Sequence, residues 1–128
     1  MKTNQPSEFE LQILGILWEY GPMTVRQVME HLNDGKERAY TSVLSVMQVM
    51  QKKGQLKTLR KRDGLANVYD AKLKRENVMT PMLKGLADRV FGGRATDVVQ
   101  HLLGTEPVDP EEIERLRTML DEVEKRGR

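Results

Sequence analysis

A chain of 128 residues without cysteine can build one sizeable core, or a small domain with an appendage, and it offers neither a disulfide framework nor a thiolate metal site. Its longest apolar run, 13-ILGILW-18, is far too short to cross a bilayer, and the amino terminus lacks the apolar core of a secretory signal. We therefore expect a cytoplasmic protein without membrane insertion.

The net charge of +2 hides an uneven distribution, because residues 34–75 carry eleven Lys or Arg against four Asp or Glu, whereas residues 106–128 carry five Lys or Arg against eight Asp or Glu. The basic segment is typical of a surface that meets a polyanion, and the acidic tail indicates that only part of the chain does so.

Three helices are predicted in the first half of the chain. Ser7 and Thr24 each stand three residues before a Glu or Gln, which is the spacing of a capping box. The helices that begin there are expected to end at 21-GP-22 and at 33-NDG-35. The third helix covers 37-ERAYTSVLSVMQVMQKKG-54, where the last glycine closes it.

The pattern then changes to that of a β-hairpin. Leu56, Thr58 and Arg60 alternate with Lys57, Leu59 and Lys61, and 68-VYDAKL-73 is a second short β-like run. Between them, 61-KRDGLAN-67 contains an Asp-Gly pair typical of a hairpin tip. A short strand around Met23 would add a third member to the sheet. This order predicts a mainly α fold, an α+β winged helix-turn-helix domain over residues 1–75.

Residues 76–128 are predicted to form about three more helices, the last capped by Asp109 with Pro110 at its first position. Their apolar stripes have no sheet or further helix to cover them, so we expect a helical dimerisation domain that pairs with a second copy. The alternative is that these helices fold back on the first domain. The predicted dimer-interface residues are Met82, Leu86, Val90, Val99, Leu102, Leu103, Ile113, Leu116, Leu120 and Val123.

The third helix has one face suited to a hydrophobic core and an opposite face that is unusual for water. At 100° per residue, Val43, Val46, Met47 and Met50 fall together, while short hydroxyl and amide side chains lie opposite, with cations only at the ends. Such side chains let a helix approach base edges in the major groove, and no acid is present to repel phosphates. The predicted DNA-binding residues are Arg38, Tyr40, Thr41, Ser42, Ser45, Gln48 and Lys52 on this helix, with Lys57, Arg60, Lys61 and Arg62 in the wing.

Catalytic alternatives find little support. His31 and His101 are the only histidines and lie in different predicted domains, so no metal site and no cofactor are expected. No phosphate-binding loop, nucleophile motif or compact carboxylate pair is evident, so the protein is not expected to be an enzyme. The competing function is a winged-helix protein–protein interaction module, in which the basic patch meets an acidic partner.

Several segments together resemble one known family. They are 8-EFELQILGILWEYGPMTVRQV-28, 39-AYTSVLSVMQVMQKKGQL-56, 67-NVYDA-71, 90-VFGGRATDVVQHLL-103 and 111-EEIERLRTMLDE-122. In order and spacing the sequence is similar to the penicillinase-repressor family, the winged-helix repressors of β-lactamase genes and related antibiotic-responsive genes.

The resemblance implies a homodimeric repressor that occludes a palindromic operator on double-stranded DNA. It implies base contacts by Thr41, Ser42 and Ser45, and a different base preference where family members often have Arg and this chain has Val49. In antibiotic-responsive members, a membrane sensor-linked protease pathway cleaves the repressor at an Asn-Phe bond. The aligned position here is His101-Leu102, a departure that leaves the inducing signal open. The Cys-x-Cys pairs of a copper-responsive branch are absent.

Overall fold

The computed structural model describes residues 5–32, 34–59 and 66–127. Its elements follow in the order α1 (Glu8–Tyr20), α2 (Val25–His31), α3 (Tyr40–Lys52), β1 (Leu56–Leu59), β2 (Val68–Ala71), α4 (Arg75–Val90), α5 (Ala95–Thr105) and α6 (Pro110–Arg126). Three helices followed by a hairpin and more helices confirm the predicted mainly α winged helix. The chain divides into two compact units, Met1–Pro81 and Met82–Arg128, so the division falls within α4.

The first two helices begin as their caps predict. The Ser7 hydroxyl accepts the Glu10 N–H at 3.2 Å, and the Glu10 carboxylate accepts the Ser7 N–H at 2.9 Å. Thr24 and Gln27 repeat the exchange at the start of α2. Both predicted capping boxes are thus confirmed, and each satisfies backbone N–H groups that a helix leaves without partners at its first turn.

The core of the first unit lies where α1, α2 and α3 meet the hairpin. Helical spacing collects apolar side chains on one face of each helix, and the hairpin closes the remaining side. The largest side chains that are completely or almost completely buried include Ile13, Leu14, Val28, Val43, Met47, Met50, Leu56 and Tyr69. Val46, predicted to share this face, is only partly buried at its margin.

The two strands form an antiparallel pair in the register Leu56↔Ala71 to Leu59↔Val68. Met23 joins the sheet through a single bridge, in which it exchanges two backbone hydrogen bonds with Tyr69, at 3.0 and 2.8 Å. The expected short third strand is therefore confirmed as one bridge. The bridge ties the turn between α1 and α2 to the wing and holds α2 beside β2.

The second unit comprises α4 from Met82 onward, together with the whole of α5 and α6. Asp109 accepts the Glu112 N–H at 2.9 Å and Pro110 is the first residue of α6, as predicted. No residue within the described spans of α5 and α6 is buried, although both helices carry apolar stripes. Over the described ranges, no helix is long and apolar enough to cross a membrane.

Candidate nucleic-acid interface

The outer face of α3 presents short polar side chains to solvent. Thr41, Ser42, Ser45, Gln48 and Lys52 are all exposed, and these five residues are called the recognition face below. On the opposite face Val43, Met47 and Met50 are completely buried, so the helix is anchored along its length while its polar side stays exposed. No acidic residue occurs in α3. A helix presented in this way can enter a major groove, where hydroxyl and amide groups meet base edges.

Arg38 does not belong to the recognition face. The helix begins at Tyr40, with Ala39 as its N-cap, so Arg38 lies outside the helix on whose outer side the sequence placed it. Its guanidinium donates two hydrogen bonds to Asp34, at 2.8 and 2.5 Å, and lies 4.2 Å from the centre of the Phe9 ring. The Arg38 side chain is only 19% exposed. Arg38 therefore fastens the segment before α3 to α1.

The Asp34–Arg38 pair is ionised over the whole ordinary pH range. The hydrogen bonds from Arg38 hold the pKa of Asp34 at about 2, below its usual 3.8. The same contact raises the pKa of Arg38. A bidentate pair of this kind fixes geometry as well as charge, so it holds the segment that leads into α3.

A second ion pair holds the other end of α3. Lys53 Nζ lies 2.8 Å from Glu10 Oε2, and Glu10 is only 6% exposed. Burial would raise the pKa of Glu10, but the hydrogen bonds from Lys53 and from the Ser7 N–H outweigh it and place the pKa below its ordinary value. The cap of α1 thus doubles as the anchor for the last turn of α3.

Gln55 connects this anchor to the wing. Its backbone N–H donates to the Met50 carbonyl at 2.9 Å, and its carbonyl accepts the Lys72 N–H at 2.9 Å. Its side chain is fully buried and hydrogen-bonds to Glu10. The end of α3, β1 and the residue after β2 are therefore held by one residue.

A cleft of about 340 Å³ opens beside the recognition face, between α2, α3 and the start of β2. Its lining includes Arg26, Tyr40, Leu44, Gln48 and Asn67. The Arg26 guanidinium carbon lies 4.6 Å from the centre of the Tyr40 ring, and Tyr40 is half-buried. Sequence reasoning missed Arg26, because one cation in the first turn of an amphipathic helix resembles any solvated residue.

The wing is only partly described. Lys57 is exposed on β1, opposite Asp70 in the strand register. Arg60, Lys61 and Arg62, the other predicted wing contacts, lie outside the described residues. Lys57 is thus the one predicted wing cation whose position is known.

Most of the predicted dimer-interface residues are exposed in the single chain. Met82 and Leu116 are half-buried, and the other eight range from 39% exposed at Ile113 to 67% at Leu120. His101 and Leu102, at the aligned cleavage position, lie within α5 and are both exposed. His101 makes an edge-to-face contact with Phe91, with ring centres 5.9 Å apart. The other histidine, His31, stacks on Tyr20.

Comparison with known proteins agrees with this geometry. Residues 6–122 match the family model of the penicillinase repressor. The chain is also similar to proteins named transcriptional regulator BlaI from two strains of Mycobacterium tuberculosis. Each is 31% identical over 125 residues, which cover 96% of this chain and 88% of the relative. The chain therefore belongs to the penicillinase repressor family and is a transcriptional repressor, in a family of regulators rather than enzymes.

Proposed function

We propose that the protein is a homodimer that binds a palindromic operator and blocks the promoter beneath it. The observation that carries the proposal is the recognition face, an exposed and acid-free set of short polar side chains on a helix anchored at both ends. Anchoring matters because a helix already held in position loses little freedom when it enters the groove. Thr41, Ser42 and Ser45 are the side chains we assign to base edges.

The exposed apolar stripes of the second unit support the dimer. Leu102, Leu120 and Val123 are each more than half exposed. Isolated apolar residues are ordinary on a surface, but stripes on successive helices favour burial against another protein surface. A second copy offers a self-complementary surface, and a two-fold axis then presents two recognition faces to one duplex. Half-sites are expected about one helical turn, roughly 10 bp, or a multiple of it apart.

The experiment selects bound duplexes from a random-sequence library and then footprints the enriched sequence. The wild-type protein is expected to enrich a palindrome. Ser45→Glu adds a negative charge to the recognition face, which belongs to the first unit. It should lose about 1–3 kcal/mol of sequence discrimination, the value of one good base contact, while its sedimentation stays that of the wild type.

A second variant tests the dimer separately. Leu120→Asp places a charge in the most exposed of the predicted interface positions and should sediment as a monomer with a much weaker footprint. An unchanged Ser45→Glu footprint would contradict groove insertion. Dimers that persist in Leu120→Asp would contradict the assigned interface. Failure to enrich any sequence would favour the protein-interaction alternative.

A further inference from the structure

Two arginines flank the amino-terminal end of α3, and they differ in what holds them. Arg38 donates to both oxygens of Asp34 and is mostly sheltered, whereas Arg26 is exposed on α2. The sequence favours Arg38 as the DNA contact because helical periodicity places it on the outer face of the predicted third helix. The side-chain contacts reverse that choice.

Arg38 is poorly placed to bind a phosphate. Its planar guanidinium is matched to a carboxylate by two parallel hydrogen bonds, and the Phe9 ring lies 4.2 Å away. A phosphate approaching it would also meet the negative charge of Asp34, which stays ionised because its pKa is about 2. To bind DNA, Arg38 would have to give up a strong partner that remains beside it.

Arg26 meets none of these obstacles. Among the ion pairs of the described residues, none includes Arg26. Its guanidinium lies over the Tyr40 ring, with 4.6 Å between its carbon and the ring centre. A ring under the guanidinium restricts the side chain without occupying N–H donors at its edge. The cation is therefore oriented in advance and free to donate.

The cleft beside Arg26 offers space for a ligand next to its guanidinium. Arg26 and Tyr40 line the same cleft as Gln48 of the recognition face and Asn67 at the wing. In helix-turn-helix proteins the first helix of the motif crosses the DNA backbone while the second enters the groove. We propose that Arg26, and not Arg38, binds a backbone phosphate of duplex DNA in this cleft, with Tyr40 as the positioning residue for its guanidinium. The inference rests on the proposed DNA binding.

The test is a salt titration with a mixed-sequence duplex, followed by fluorescence anisotropy, for wild type, Arg26→Gln and Arg38→Gln. Each phosphate contact on B-DNA contributes about 0.9 to the slope of log K against log salt. Arg26→Gln should reduce the slope by about 0.9 per bound head and melt like the wild type. Arg38→Gln should keep the wild-type slope and melt at a lower temperature, because it loses an internal ion pair.

The role of Tyr40 is tested by asking whether its effect on DNA binding depends on Arg26. Tyr40→Leu should weaken binding roughly two- to fivefold, the value of an exposed cation–π contact, and Tyr40→Phe should restore it. In the Arg26→Gln background, Tyr40→Leu should have no further effect. An equal loss in both backgrounds would overturn the positioning role.

The failures are distinguishable. A wild-type slope near zero would refute DNA binding itself and the Arg26 contact with it. A steep wild-type slope that Arg26→Gln leaves unchanged would overturn the Arg26 contact alone. A loss of slope in Arg38→Gln equal to that in Arg26→Gln would overturn the distinction between the two arginines.

Discussion

Replacing Lys53 with Met tests whether the end of the recognition helix is held by an ion pair with α1. The substitution keeps most of the side-chain length but removes the ammonium 2.8 Å from Glu10. Glu10 would remain 94% buried in its present position, with only neutral partners such as the Ser7 N–H. A buried carboxylate in that state is destabilising because it lacks both water and a counter-ion.

The size of the effect follows from the exposure of the two partners. A hydrogen bond to a charged group contributes about 1.5–3 kcal/mol when it is buried, whereas exposed ion pairs contribute about 0.2–1 kcal/mol. The Glu10 side chain is 9% exposed and that of Lys53 39%, so water screens one side of the pair. We expect Lys53→Met to lower the free energy of unfolding by about 1.5 kcal/mol, roughly 6–12 °C in Tm for a unit of this size.

The assay is urea unfolding followed by tryptophan fluorescence. Trp18 is the only tryptophan and reports on this unit, since its indole N–H donates to the Leu73 carbonyl at 3.0 Å. Lys52→Met is the matched control, because Lys52 is the exposed neighbour and forms no ion pair within the described residues. A cycle with Glu10→Gln should give a coupling free energy of about 1 kcal/mol.

The pH dependence of the same difference provides a second readout. Because the folded-state pKa of Glu10 is below its usual 4.5, its stabilising contribution is complete above that value and is lost as the pH falls through the folded-state pKa. The gap between wild type and Lys53→Met should therefore close in acid. A pH-independent gap, or a loss equal to that of Lys52→Met, would refute the anchoring role.

Two further predictions concern the start and the end of α3. Asp34 should contribute to stability above pH 3.8, and this contribution should be lost between pH 3.8 and about 2. Asp34→Asn should therefore flatten the dependence of the unfolding free energy on pH in that window. A pH dependence parallel to that of the wild type would contradict the pairing. Gly54→Ala should destabilise by about 1–2 kcal/mol, because Gly54 has a φ of +83° that L-residues disfavour, although nothing lies within 4 Å of an added Cβ. Its control is Gly15→Ala inside α1, where nothing lies within 4 Å of an added Cβ and φ is not in the left-handed region. Urea unfolding should show that this control is stabilised by about 0.5–1 kcal/mol.

Local signals predicted much of the fold. Capping boxes, helical periodicity and short β-like runs act over a few residues, so the start of α1, the start of α2 and the hairpin order are readable from sequence. The Asp-Gly pair predicted at the hairpin tip lies outside the described residues. The buried side of α3 was readable for the same reason. These features need no knowledge of which elements meet.

The contacts that decide which cations are paired cannot be predicted from the sequence. Lys53 pairs with Glu10, 43 residues earlier, and Arg38 lies against Phe9, 29 residues earlier. Neither separation leaves a pattern in sequence, because the contacts exist only once α1 packs beside α3. The first residue of α3 also lacks a sequence signal, since the N-cap Ala39 supplies no side-chain hydrogen bond. That uncertainty placed Arg38 on the wrong side of the helix boundary.

Formal charge consequently overstates the positive surface available to DNA. Of the eleven cations between residues 34 and 75, Arg38 and Lys53 are committed to carboxylates that are themselves sheltered, and Arg75 lies 3.8 Å from Glu19. Arg26 lies outside that basic segment and is free of ion pairs over the ranges described. Since the salt slope counts phosphates neutralised rather than cations present, it separates the two groups. Around α3, therefore, Arg38 and Lys53 are paired with sheltered acids and hold the helix in position. We propose that Arg26, which has no ion pair over the described ranges, is instead available to bind the DNA backbone.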